Sequence, residues 1–195
     1  MAITRGATSS LLQGLPKYRS MLGGNSPYAP PSFESIATIT PSGVSTITFS
    51  GIPSGYQSLQ IRAIGRRNSA TTAGSANLRF NLDTSATYSK HHINGNGSSV
   101  TMSSAINTNQ IEFFEYSGGD ASVNNIVGAV VCDVLDYAST TKFKTITAFN
   151  GVDFNTSGNV YLFSGLWRSS AAINSLTIFT SANYLTTTFA LYGVK

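Results

Sequence analysis

Apolar and polar residues alternate along most of this chain from residue 33 onward. That period fits pleated strands with one face more buried than the other. Ser35 to Thr40 and Val44 to Ser50 are alternating runs split by Pro41-Ser42-Gly43, and Ile52-Pro53-Ser54-Gly55 is a turn signal. Leu59, Ile61 and Ala63 mark another strand, and Ser69 to Ser75 reads as an exposed loop. Leu78, Phe80 and Leu82 then alternate against Arg79 and Asn81. Asn94-Gly95-Asn96-Gly97 is a tight turn rich in residues that tolerate positive φ. Ile111 to Tyr116, Ile126 to Leu135 and Phe143 to Phe149 follow, and Val160 to Trp167, Ala172 to Phe179 and Thr188 to Lys195 close the chain. About ten short strands punctuated by Gly, Asn and Pro, with no convincing helix, predict an all-β fold. The expected architecture is an antiparallel β-sandwich, jelly-roll-like, with an extended N-terminal arm.

Residues 1–34 differ from the rest. Leu11, Leu12, Leu15, Tyr18 and Leu22 recur at helix-like intervals that Gly14 and Pro16 interrupt, and Met21 adds to the apolar set. Pro27, Pro30 and Pro31 then enforce an extended path. The segment has apolar anchors but too few residues for a core, so it is expected to order against something else. The predicted organisation is an anchoring arm over 1–34 and a sandwich module over 35–195. Strands reaching the last residue leave the N-terminal end as the expected free end.

Composition sharpens this picture. Hydrophobic residues make up 41% of the 195 residues, but charged residues only 10%, against roughly 25% in an average soluble protein. Ser, Thr and Asn supply the solubility, which suits a particle component that persists outside a cell. The net charge of +4 is too modest to imply nucleic acid. Arg62, Arg66, Arg67, Arg79 and Lys90 lie close in sequence, but no aromatic interleaves with Arg62 to Arg67. They are read as solvated loop charges or a contact with an acidic partner. Cys132 is the sole cysteine, so no internal disulfide forms, and its apolar run predicts a buried thiol. No stretch approaches the ~20 apolar residues of a membrane span, and no secretory signal is recognisable.

Candidate chemistry is sparse. His91 and His92 are neighbours, and neighbours on a strand face opposite ways, so they do not share a metal. Asp133 and Asp136, and likewise Glu112 and Glu115, are three apart, which on a regular strand puts each pair on opposite faces. No nucleophile elbow, Walker loop or complete dinucleotide fingerprint occurs. Catalytic, cofactor-binding and metal-ligating residues are therefore expected to be absent, and the protein is expected not to be an enzyme. Trp167, the only tryptophan, is a candidate glycan or interface contact, with Tyr116 and Tyr184 as weaker ones.

The order of several motifs carries a resemblance. Ser35-Ile36-Ala37-Thr38, Ile47-Thr48-Phe49 and Ile52-Pro53 lead into Tyr56-Gln57-Ser58-Leu59-Gln60-Ile61-Arg62. Leu78-Arg79-Phe80-Asn81, Tyr88-Ser89, Gly165-Leu166-Trp167-Arg168 and Ala171-Ala172-Ile173 follow, and the chain closes on Phe189-Ala190-Leu191-Tyr192-Gly193-Val194-Lys195. Over residues 33–195 this resembles small β-rich virion proteins of tailed bacteriophages of marine and aquatic bacteria. The resemblance implies a fibre, appendage or decoration protein, commonly a homotrimer, made in the host cytoplasm and carried in the virion. Leu11, Leu12, Leu15, Tyr18, Met21 and Leu22 would then anchor it to other virion proteins. The expected partners are those proteins, further copies of the chain and a host surface glycan, with no nucleic acid and no membrane insertion.

Overall fold

In the computed structural model, residues 32–69, 73–117 and 125–195 are described, apart from the side chains of Ala73, Tyr116 and Ser117. The six apolar arm residues lie outside them. Twelve strands occupy the described residues, with no helix among them: β1 Phe33–Ile39, β2 Thr46–Ser50, β3 Ser58–Arg67, β4 Ala73–Phe80, β5 Tyr88–Gly95 and β6 Val100–Thr108 in the first half. The second half holds β7 Ile111–Ser117, β8 Gly128–Leu135, β9 Lys144–Asp153, β10 Gly158–Trp167, β11 Ser175–Thr180 and β12 Tyr184–Val194. Residues Phe33–Lys195 make one unit. β1 takes in Phe33 and Glu34, which the sequence pattern gives to the arm.

The strands form two antiparallel sheets. One runs β1-β12-β3-β8-β9-β10-β5-β6 and the other β2-β11-β4-β7, joined by a parallel bridge between Arg66 and Ser117. The chain alternates between the sheets, and the small sheet's interleaved order is that of a jelly roll. In the large sheet the β9–β10 hairpin is set between β8 and β5, and β12 and β1 extend the far edge.

Alternation along each strand becomes rows across each sheet. On the small sheet, Ile47, Ile178, Leu78 and Ile111 stand side by side, as do Phe49, Leu176 and Phe80. On the large sheet, Leu191, Ile61, Cys132, Ala148 and Phe163 form the facing row. All twelve are buried and belong to the core. Gly165 sits between Ile146 and the incoming Ile111, and a methyl group there would lie 2.6 Å from an Ile111 side-chain carbon. A side chain at this position would hold the sheets apart.

Several local expectations need correction. β4 begins at Ala73, so the loop read over Ser69 to Ser75 is shorter. β4 also stops at Phe80: Asn81 and Leu82 take positive φ, and Leu82 is exposed. Asn81 still donates its backbone N–H to the Ser175 carbonyl at 3.0 Å, and its side chain ties the segment before β11. Its amide donates to the Ala172 carbonyl, and its oxygen accepts from the N–H groups of Asn174 and Ser175. The turn near Gly97 begins one residue beyond β5, with the Asn96 carboxamide oxygen accepting from the N–H groups of Ser98 and Ser99. It leads into β6, which the sequence pattern left unassigned.

Candidate functional site

The largest departure from the sequence pattern lies on β7. Ala76 of β4 pairs with Phe114 and Asn77 with Glu112, so Phe113 has no partner across the ladder. This β-bulge lets the adjacent Phe113 and Phe114 both bury completely. It also reverses the parity of what flanks it. Glu112 and Glu115, expected on opposite faces, converge on the hydroxyl of Ser75.

The surrounding charges divide the two carboxylates. Burial pushes Glu112 up, but hydrogen bonds from Lys90 and Ser75 and the Lys90 charge outweigh it and hold the carboxyl below its ordinary range. Burial raises Glu115, reinforced by the negative charge of Glu112 and only partly offset by Ser75. Ser75 has one hydroxyl proton and cannot donate to both carboxylates. Both carboxylates lie within reach of that hydroxyl, Glu115 at 3.1 Å, and its single proton serves one of them at a time. Close by, burial pushes Tyr161 up to about 12 and lowers His92.

Asn150 of β9 closes this seam. Its side-chain oxygen accepts from the Glu115 N–H at 3.1 Å, and its amide donates to the Glu115 carbonyl at 3.1 Å and the Ala129 carbonyl at 2.7 Å. A carboxamide thus stands where a neighbouring strand would pair β7. Divided carboxylates are also the raw material of acid–base catalysis. Glu115, however, is only 9% exposed with its backbone held on both sides. Glu112 and Lys90 reach a surface hollow of about 610 Å³ also lined by Asn77, Thr84, Asn107, Thr108 and Gln110.

The other predicted residues fall as follows. Trp167 is 2% exposed, stacked on Tyr88 and tilted against Phe80, and its indole N–H donates to Asp83 at 2.7 Å. No ring face is open to a sugar. Tyr184 is fully buried and meets Phe189 edge-on. The Tyr116 side chain lies outside the described residues. Asp133 accepts from Gln60, whereas Asp136 faces Lys142 in a turn, so those two carboxylates do not meet. Among the described residues no group of three His, Cys, Asp or Glu could hold a metal. Cys132 is buried, and burial raises its thiol.

The basic residues stand on strands and not in a loop, and of the five only Arg62 is exposed. Arg66 and Arg67 are buried on β3, and Arg67 donates to Thr180 and Ser181. Arg62 lies over the rings of Phe33 and Tyr192, Arg79 lies over Phe179, and Lys90 pairs with Glu112.

The outer face of the large sheet is the second feature without a sequence forecast. Register aligns Met102, Ile93, Leu162, Phe149 and Val131 in one row across β6, β5, β10, β9 and β8. The next row holds Val100, Gly95, Val160, Gly151, Ala129 and Ile64. Met102 is 81% exposed and Phe149 60%, and the large side chains of both rows are all exposed. From β6 to β8 neither row carries a charge.

No protein-family model and no curated protein matches the chain. The signals missed in the sequence were local. Two consecutive phenylalanines in a strand signal a bulge, because both cannot face the core otherwise. Val100, Met102 and Ile106 alternate within β6, but the Asn- and Ser-rich surroundings mask them.

Proposed function

We propose that this chain is a bacteriophage virion structural protein, a fibre or appendage component of the tail or neck, anchored to the particle through residues 1–34. It acts by association and not by chemistry. The observation that carries this reading is the uncharged apolar outer face of the large sheet, on a body whose raised carboxylate, Glu115, is sealed within a seam. The ordered motifs over residues 33–195 supply the virion context and, with it, a homo-oligomer. The protein is made in the host cytoplasm and resides in the virion. Immunogold labelling of purified particles tests this. Label on the tail or neck is the expected result, label on the head makes it a capsid decoration protein, and unlabelled particles refute the reading.

A second reading, as a carbohydrate-binding module for host surface glycans, is favoured by the hollow beside Lys90 and Glu112. Its amides and hydroxyls match the hydrogen-bonding surface of a sugar. A glycan array probed with the full chain tests it: binding lost in Glu112→Gln supports the reading, and no bound glycan refutes it. The two readings are compatible in a projecting appendage.

A further inference from the structure

We infer that the outer face of the large sheet is a self-association surface whose occupant is the same face of a second copy of this chain. The inference rests on the reading of the protein as an assembly component and names the surface involved. Isolated exposed apolar residues are normal, but contiguous apolar patches beyond a few hundred Å² mark interaction sites. Here the aligned side chains of Met102, Ile93, Leu162, Phe149, Val100 and Val160, with their neighbours on β8 and β3, are all exposed. Eight exposed large apolar side chains in two adjacent rows make a contiguous patch and not scattered single residues.

A second copy fits better than an unlike partner on grounds of charge. Identical chains at net +4 repel one another, so a self-contact belongs where charge is absent. The two rows are uncharged over five strands. Where the Met102 row does reach a charge, at Arg62, the guanidinium lies 5.2 Å and 5.1 Å from the ring centres of Phe33 and Tyr192. The surface also has relief. A hollow of about 480 Å³ is lined by His92, Ile93, Met102, Ser104 and Leu162, and Phe149 stands beside Leu162 in the adjoining strand. In a twofold arrangement, Phe149 of each copy would seat in the hollow of the other, the self-complementary pattern of a symmetric interface.

The experiment is sedimentation equilibrium of the full chain across a concentration series, with Phe149→Glu, Phe149→Ser and the control Thr46→Glu on the exposed face of the small sheet. Circular dichroism confirms that each variant folds. The wild type and the control are expected to associate, Phe149→Glu to remain at 20.6 kDa, and Phe149→Ser to shift the midpoint about a hundredfold higher in concentration, about tenfold for each of the two aromatic contacts that a twofold pair loses. Association unchanged in both Phe149 variants, or a monomeric wild type, overturns the inference. So does a monomer whose β9 and β10 amides are protected from exchange only while residues 1–32 are present, because the arm would then be the occupant. Measuring particle incorporation of Phe149→Glu alongside separates the two proposals: a monomeric wild-type chain that still enters particles overturns this surface and leaves the structural role standing.

Discussion

Replacing Asn150 by alanine tests the seam most sharply. The substitution deletes three hydrogen bonds, to the Glu115 N–H, the Glu115 carbonyl and the Ala129 carbonyl. A protein hydrogen bond contributes about 1 kcal/mol net, but removing one partner so that a buried backbone group is left unpaired costs ~1–3 kcal/mol. The Glu115 N–H and carbonyl lose this partner together, and Asn150 is fully buried. The expected loss is therefore about 4 kcal/mol, a large share of the roughly 5–15 kcal/mol that holds a domain folded. For a body of this size that lowers the melting temperature by roughly 10 °C. Urea unfolding followed by Trp167 emission is a suitable assay, because the only tryptophan is buried and shifts to longer wavelength on exposure. Asn150→Asp should cost more than alanine, since a carboxylate would face two carbonyls. A loss below about 1 kcal/mol in Asn150→Ala, the size of a single hydrogen bond, would show that β7 is held by something else.

Three further predictions follow from the same geometry. Glu112→Gln should destabilise by about 2 kcal/mol, less than a fully buried pair because Lys90 keeps some solvent contact, whereas Glu115→Gln should be neutral or stabilising at pH 7. Because the folded state raises Glu115, its contribution is complete below the ordinary value of 4.5 and is lost as pH rises through the folded value, so denaturant midpoints of wild type and Glu115→Gln should diverge above about pH 5. Burial would raise Asp83, but hydrogen bonds from Ser85, Trp167 and Thr87 outweigh it and hold the carboxyl at about 2. Its stabilisation is present above 3.8 and lost as pH falls toward 2. Trp167→Phe, read by calorimetry, should cost about 1–2 kcal/mol at neutral pH and flatten that acid-side loss. Gly165→Ala should cost about 1–3 kcal/mol by overpacking against Ile111 and Ile146, with the burden visible as a lower urea midpoint.

The strands and the core were legible because burial on one face of a pleated strand writes itself as alternation. Ile47 with Phe49, Leu59 with Ile61, and Phe189 with Leu191 all face inward as the pattern demands. The seam was not legible, since parity arguments assume a regular ladder and the Phe113 bulge breaks it. Nor does alternation distinguish a face covered by the second sheet from one left open. Phe163 and Leu162 are equally apolar in sequence, yet only Phe163 meets the core. Trp167 invites a sugar-platform reading as the only tryptophan, whereas its place at the end of an apolar run points to packing. Its partner Asp83 lies 84 residues away in sequence, beyond any local pattern. Arg66 and Arg67 read as solvated because charge suggests exposure, whereas the distant hydroxyls of Thr180, at the end of β11, and Ser181, just beyond it, receive Arg67.

The central claim is that a chemically quiet sandwich is held on a particle by its leading segment. Truncation at residue 32 keeps β1 and the whole Phe33–Lys195 unit intact. Quantitative mass spectrometry of purified particles, assembled with either the full chain or this truncation, measures the claim directly. The full chain should be present at a fixed copy number and the folded truncation absent. Equal copy numbers for the two would contradict the account.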